Sequence, residues 1–136
     1  MKNRLFSLLF ALLCLTAFVG CDKKDSDSVS PNVSLLTKGQ WTGSAIYIEG
    51  EDKTAEIKEQ ASFDFTKYAT SFDREGNYED FYEGDSVMKG TWEYANDERV
   101  IEFDKATADT YTVVISKLDE DEFTYVQNGV EYRFKR

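Results

Sequence analysis

The residue types that most often carry catalysis are scarce in this sequence. It contains no histidine, and its two cysteines, Cys14 and Cys21, both lie close to the N terminus. A Ser-His-Asp triad, a histidine-ligated haem and an ordinary zinc site all need side chains that the rest of the chain lacks. We therefore predict that the protein is not an enzyme and has no catalytic residue, metal or cofactor.

Acidic side chains are the remaining groups with catalytic potential. Two carboxylates that face each other across a cleft can hydrolyse glycosidic bonds, and the candidates are Glu79, Asp80, Glu83 and Asp85. The sequence places no two of them across a cleft, and acidic residues are common in turns. Residues 119–122, Asp-Glu-Asp-Glu, offer oxygen ligands for Ca²⁺ but lack the ligand spacing of a calcium-binding loop. We interpret them as a solvated turn.

Cys21 could carry a different chemistry, which depends on the segment before it. Lys2 and Arg4 precede a mostly apolar stretch, residues 5–18, as in an export signal. The stretch is shorter than the roughly 20 residues that span a bilayer, so a permanent membrane helix is the weaker alternative. The four residues 18–21, Phe-Val-Gly-Cys, resemble a lipobox, in which the thiol receives diacylglycerol before the signal is cleaved.

This resemblance implies a signal peptide over residues 1–20, cleavage after Gly20 and a lipid anchor on Cys21. The alternative is an ordinary secreted protein with an incidental cysteine. Residues 21–32 are then the lipidated cysteine and a flexible tether that spans on the order of 18 Å. The acidic residues after Cys21 resemble the surface-export signals of Bacteroidota lipoproteins, which favours the outer membrane and the cell surface. In other Gram-negative systems Asp22 would indicate inner-membrane retention, and a linker without an addressing role stays open.

The charge of the expected mature chain limits its partners. The whole sequence has 16 basic and 26 acidic residues, a net charge of −10, and loss of Lys2 and Arg4 leaves 14 basic residues and a net charge of −12. Such a chain repels the phosphates of nucleic acids, so we expect no nucleic acid partner. A basic protein is a candidate partner, although the charge can also serve solubility alone.

From residue 33 onward the sequence alternates in the manner of β-strands. Val130, Tyr132 and Phe134 alternate with charged residues, and Phe123 and Tyr125 form a similar row. Asn128 and Gly129 join these two rows as a hairpin, because both tolerate a positive φ angle. Similar rows recur every 8–12 residues, which is typical of an all-β barrel or sandwich.

We count eight or nine strands, separated by short turns. Residues 33–38 are expected to form one helical turn, and residues 54–60 are ambiguous, since they could extend a strand through Phe65. Closing such a sheet removes its exposed edges. The prediction is therefore one small antiparallel up-and-down barrel of about eight strands over residues 33–136.

Two short Gly-x-Trp segments, Gly39-Gln40-Trp41 and Gly90-Thr91-Trp92, carry a family resemblance. The first resembles the motif at the start of the first lipocalin strand, where Trp41 would plug the closed end of the barrel. With residues 72–78, 90–94 and 131–135, the domain resembles the short lipocalin-like domain of Bacteroidota lipoproteins. The resemblance implies that a basic residue of the last strand covers Trp41, for which Arg133 and Lys135 are the candidates.

An eight-stranded barrel is just wide enough to be filled by side chains or to hold one small ligand. Four tyrosines are candidate ligand contacts at its mouth, because each combines an apolar ring with a hydroxyl: Tyr47, Tyr78, Tyr94 and Tyr132. Alternatively they are core residues whose hydroxyls reach the rim. The leading functional prediction is a membrane-anchored binding module for a small apolar or amphipathic molecule. A barrel centre packed solid by aromatic side chains would refute the hypothesis of a ligand inside the barrel: Phe63, Phe65, Trp92, Tyr111 and Phe134.

Two other functions stay open. One is a protein-binding or inhibitory module of the cell envelope that recognises a basic partner. The other is a passive envelope component, which no sequence feature separates from the rest.

Overall fold

The computed structural model describes residues 29–136, which form nine antiparallel strands and two short helices. The expected signal peptide, Cys21 and residues 22–28 of the tether lie outside the described residues. No helix in the described part of the chain is long and apolar enough to cross a membrane. The elements, in chain order, are α1 (Pro31–Leu36), β1 (Gln40–Ile48), β2 (Glu51–Asp52), α2 (Thr54–Ala61), a 3₁₀ turn (Phe65–Lys67), β3 (Tyr68–Phe72), β4 (Asn77–Tyr82), β5 (Asp85–Ala95), β6 (Val100–Phe103), β7 (Tyr111–Leu118), β8 (Glu122–Gln127) and β9 (Val130–Lys135).

The sheet closes into an antiparallel barrel. Strands β3 to β9 pair in sequence order, while β1 pairs with β3 on one side and β9 on the other. The closing pair brings Ile46 opposite Tyr132 and Thr42 opposite Lys135. Strand β2 has only two residues and pairs with the end of β1, so eight strands form the wall. The prediction of an all-β meander closed into a barrel is confirmed.

Local sequence accounts for several connections. Asn128 and Gly129 join β8 to β9 with φ angles of 51° and 80°, as a tight hairpin requires. The turn before β8 contains residues 119–122, where the Asp119 carboxylate accepts hydrogen bonds from the backbone N–H groups of Asp121 and Glu122. Within residues 29–136, no group of three potential metal ligands is assembled.

The ambiguous segment after β2 is helical, so its reading as an extension of a strand is wrong. Helix α2 begins where the Asp52 carboxylate accepts a hydrogen bond from the backbone N–H of Thr54. Its Ala, Glu, Lys and Gln residues favour helix, and it ends at Ser62 in the left-handed conformation. The predicted N-terminal turn is present but begins earlier, at Pro31, because the Ser30 hydroxyl caps the backbone N–H of Val33.

Candidate functional site

One end of the barrel is closed by α1 and by Trp41, which opens β1. The Trp41 side chain is completely buried, and its Nε1–H donates to the Leu36 carbonyl oxygen at 2.9 Å. The guanidinium of Arg136 lies 3.8 Å from the centroid of the Trp41 ring. Arg136 also donates hydrogen bonds to the carbonyl oxygens of Leu35 and Glu120. These contacts tie α1, β1 and the C terminus together, and we call this region the closed end.

The cation over Trp41 is therefore Arg136, and the prediction of Arg133 or Lys135 is wrong. Successive side chains of β9 alternate between the two faces of the wall, and Phe134 points inward. Arg133 and Lys135 consequently face outward, and the Arg133 guanidinium lies 3.7 Å from the ring centroid of Tyr47. Arg136 follows the last strand residue, so its side chain is free of this alternation and reaches the closed end.

Both Gly-x-Trp segments have a steric reason for their glycine. Gly39 has a φ angle of +117°, which side-chain-bearing residues rarely adopt. A Cβ on Gly90 would lie 2.1 Å from a carboxylate oxygen of Asp104, so only glycine leaves room for that side chain. Trp92 packs edge-on against Phe72, with ring centroids 5.6 Å apart, and its Nε1–H donates to the Asp73 carbonyl oxygen.

Aromatic side chains fill the barrel centre. Phe65, Trp92 and Phe134 are buried, and Phe63 and Tyr111 are partly buried against the same cluster. The Phe65 and Phe134 rings lie 5.2 Å apart, within the usual range for aromatic pairs. The barrel centre is therefore packed as in the refuting case, and the hypothesis of an apolar ligand inside the barrel is wrong. We call the end of the barrel opposite the closed end the mouth.

The four tyrosines predicted as ligand contacts are not brought together. Tyr47 is on the outer face under Arg133. Tyr94 is at the closed end, where its hydroxyl donates to the Asn32 carbonyl oxygen, because β5 runs from the mouth to that end. Tyr78 is buried and donates to Asp104 at 2.9 Å. Only Tyr132 packs among the aromatic residues of the mouth, 5.2 Å from the Tyr125 ring.

Asp80 is the polar residue that sequence reasoning did not place. It lies opposite Thr70 in the β3–β4 pairing, and both side chains are buried, with 7% and 4% exposure. The sequence did contain one indication that Asp80 faces inward. Asp80 lies two residues after the aromatic Tyr78, and residues i and i+2 of a strand share a face. Glu79 faces outward and pairs with Lys89, so these neighbouring carboxylates do not face each other.

The surroundings of Asp80 are tyrosine rings and hydroxyls. Burial raises the pKa of the Asp80 carboxyl, while hydrogen bonds from the hydroxyls of Tyr68 and Thr70 oppose that rise. Burial, and then the charge of Asp80, raise the pKa of Tyr111 to about 12. Burial also raises the pKa of Tyr125, with a smaller contribution from Asp80. The site therefore holds a carboxyl group between neutral phenols.

The segment between β2 and β3 partly covers this mouth. Phe63 stacks on Tyr82, with ring centroids 5.3 Å apart, and the Tyr82 hydroxyl accepts a hydrogen bond from the backbone N–H of Asp64. Phe65 passes so close to β1 that a Cβ on Gly43 would lie 2.1 Å from the Phe65 carbonyl oxygen. Helix α2, by contrast, contributes no buried residue. The buried contacts of the covering segment thus come from its aromatic residues, and the helix adds the partly buried Ile57.

Solved structures with a similar fold come from Bacteroides. A lipocalin-like protein from Bacteroides uniformis shares 12% identity at a TM-score of 0.54, over 72% of this chain and 96% of that one. A DUF4847 family protein from Bacteroides vulgatus shares 11% identity at a TM-score of 0.53, over 75% of this chain and 94% of that one. No protein-family model and no curated protein sequence matches the chain. The chain is a lipocalin-like β-barrel, as the predicted family resemblance implied.

Proposed function

We propose that this protein is a non-enzymatic binding module that holds a small amphipathic molecule at the barrel mouth. The observation that carries this proposal is the contrast between the two ends of the barrel. The closed end is sealed by Trp41 and Arg136. The mouth presents a buried carboxyl among partly exposed tyrosines: Tyr68, Tyr82, Tyr111, Tyr125 and Tyr132.

The mouth combines the two features that small-molecule sites usually share. Its five tyrosine rings are partly buried, and covering their apolar faces would contribute affinity. A few polar groups, chiefly Asp80 and the Tyr132 hydroxyl, can orient a ligand. Because Phe65 and Phe134 occupy the centre below, the bound molecule must be small or extend out of the mouth.

Backbone NMR titration tests this proposal. ¹⁵N-labelled protein is titrated with small amphipathic probes of neutral, anionic and cationic character. We expect shift changes that cluster around the mouth, and Tyr132→Ala should weaken binding by about tenfold. Tyr47→Ala is the matched control, because Tyr47 lies on the outer face and should leave binding unchanged. Shifts that cluster on the outer face, or no binding by any probe class, would contradict the proposal.

We also propose that a lipid on Cys21 anchors this module in the cell envelope, most favourably in the outer membrane. The support is the motif of residues 18–21 and the short apolar stretch before it. Labelled fatty acid should be incorporated into the wild-type chain and into Cys14→Ala, but not into Cys21→Ala. Equal labelling of both variants would contradict this assignment. Protease treatment of intact cells then reports the side of the membrane, and cleavage only after lysis would rule out surface exposure.

A basic protein partner is the second candidate, and the net charge of −12 on the expected mature chain favours it. Steering by charge weakens as salt screens it, so retention of a partner should fall between low and moderate ionic strength. Failure to retain a basic protein from an envelope extract at low salt would remove the reason for this candidate.

A further inference from the structure

We propose that the mouth selects small organic cations, such as protonated amines, through the carboxylate of Asp80. This inference rests on the proposed function and names the ligand class of that same site. Its basis is a buried carboxyl group that faces the barrel interior without a cationic partner.

Asp80 accepts hydrogen bonds from the hydroxyls of Tyr68 and Thr70 but has no cationic partner within the described chain, which is unusual for a buried acid. None of the ion pairs formed among residues 29–136 includes Asp80, whose side chain is more than nine-tenths buried. Buried acids are normally paired, since an isolated carboxylate loses its hydration. The other charge that acts on Asp80 comes from Asp104, which is also acidic. The interior of the mouth is therefore acidic, and a cation that entered it would supply the missing counter-charge.

The neighbouring side chains suit an organic cation better than a hydrated metal ion. Aromatic rings attract cations through their negative faces, and the charge of Asp80 acts on three tyrosines of the mouth: Tyr68, Tyr111 and Tyr125. Their hydroxyls add hydrogen-bond acceptors for ammonium protons. A hard metal ion would need several oxygen ligands, whereas no group of three potential metal ligands is assembled in the described part of the chain.

The register of the barrel wall explains why the acid points inward. Asp80 sits between Tyr78 and Tyr82 at two-residue spacing and directly opposite Thr70. Its neighbour Glu79 alternates to the outer face and forms an ion pair with Lys89 at 3.0 Å. The chain thus offers two adjacent acids, one inside and one outside, and this pair provides a matched control.

The test compares three probes of similar size and shape that differ in charge: phenylethylamine, phenylethanol and phenylpropanoate. Calorimetric titration of the purified protein at neutral pH measures their affinities. We expect the amine to bind at least about tenfold more tightly than the alcohol, and the carboxylate to bind more weakly still. Asp80→Asn should reduce amine affinity by about tenfold or more while changing alcohol affinity less than about twofold. Glu79→Gln should leave both unchanged.

The outcomes separate this inference from the proposed function. If the amine and the alcohol bind equally, or if Asp80→Asn leaves amine affinity intact, cation selection is wrong while ligand binding at the mouth stands. If the alcohol binds and the amine does not, cation selection is wrong for the same reason. If none of the three probes binds, cation selection is also wrong, and the proposed function is judged by its own NMR titration. Far-ultraviolet circular dichroism of both variants establishes that each one is folded.

Discussion

Replacing Arg136 should open the closed end, whereas replacing Arg133 should have a smaller effect. Arg136→Ala removes a cation from above the fully buried Trp41 and two hydrogen bonds to backbone carbonyl oxygens. A cation–π contact at a solvent-exposed site contributes about 0.5–1 kcal/mol. The two hydrogen bonds are exposed, so about 0.5 kcal/mol each is a reasonable discounted value. The expected loss in the free energy of unfolding is therefore about 1.5–2 kcal/mol.

Arg133→Ala is the matched control, because it removes the same side chain from above another ring. Tyr47 is only partly buried, and the partner of Arg133 is the neighbouring Glu131 on the surface. The contact with the Tyr47 ring contributes about 0.5 kcal/mol, the low end of the exposed range, because Tyr attracts cations less strongly than Trp. A surface ion pair adds about 0–1 kcal/mol, and many such pairs add nothing measurable, so the expected loss is about 1 kcal/mol.

Thermal unfolding followed by tryptophan fluorescence and circular dichroism compares the two variants. For a domain of this size, about 4 °C of Tm corresponds to 1 kcal/mol. Arg136→Ala should lower Tm by about 6–8 °C, and Arg133→Ala by about 4 °C. The fluorescence of Arg136→Ala should also report greater water access to Trp41. A loss for Arg133→Ala as large as that for Arg136→Ala would refute the assignment of the closed-end contacts to Arg136.

Three further predictions concern the core and the mouth. Phe65→Ala should lower the free energy of unfolding by about 3–5 kcal/mol in urea titrations, because Phe65 is buried in the barrel centre; a loss under 1 kcal/mol would contradict this packing. Gly43→Ala should cost about 1–3 kcal/mol in the same assay, since its Cβ would collide with the Phe65 carbonyl oxygen; wild-type stability would refute the contact. Two acids should respond to pH with opposite signs. Burial raises the pKa of Asp80, so ionisation of this carboxyl destabilises the folded state increasingly as pH rises above about 4. At pH 7 Asp80→Asn should therefore be more stable than the wild type, by about 1.4 kcal/mol for each pH unit by which folding raises the pKa of Asp80. Near pH 4 the two proteins should be equally stable. The pKa of Asp64 is lowered to about 2, chiefly by the hydrogen bond from Lys58. The ionised Asp64 carboxylate therefore stabilises the fold above about pH 4, and this stabilisation is lost as pH falls towards 2. Asp64→Asn should therefore be destabilised at pH 7 relative to the wild type and match it near pH 2.

The wall of the barrel was predictable because strand alternation is a local signal. Val130, Tyr132 and Phe134 point inward as their spacing indicated, and Asn128-Gly129 turns the chain between the last two strands. Residues 54–60 lacked such alternation. Their helical conformation is favoured by their composition and by the hydrogen bond from the backbone N–H of Thr54 to the Asp52 carboxylate. Elements with a clear period could thus be assigned, whereas a short segment without one could not.

The candidate site was harder to predict because it depends on contacts across the barrel. Tyr47 and Tyr132 both belong to strands with clear patterns. The pairing of β1 with β9 places Ile46 opposite Tyr132, so Tyr132 faces inward while Tyr47, the next residue of β1, faces outward. Asp80 occupies an inward position, where apolar residues are expected. In a sequence with 26 acidic residues, it was therefore interpreted as one more acidic residue near a turn. Arg136 lies beyond the last strand, and only the path of the folded chain brings it back to Trp41. Pairings of this kind are tertiary, and one sequence does not encode them locally.

The position of the tether bears on the kind of ligand that the mouth would meet. Residues 21–30 lead into α1, which packs at the closed end together with Trp41. Strand β1 runs nine residues from there towards the mouth, a distance of about 30 Å along the strand at about 3.4 Å per residue. A lipid on Cys21 would hold the closed end nearest to the bilayer and leave the mouth farther into the aqueous phase. With this proposed anchor, a ligand of the mouth would arrive from water rather than from the lipid, which agrees better with a soluble cation at Asp80 than with a ligand in a deep apolar cavity.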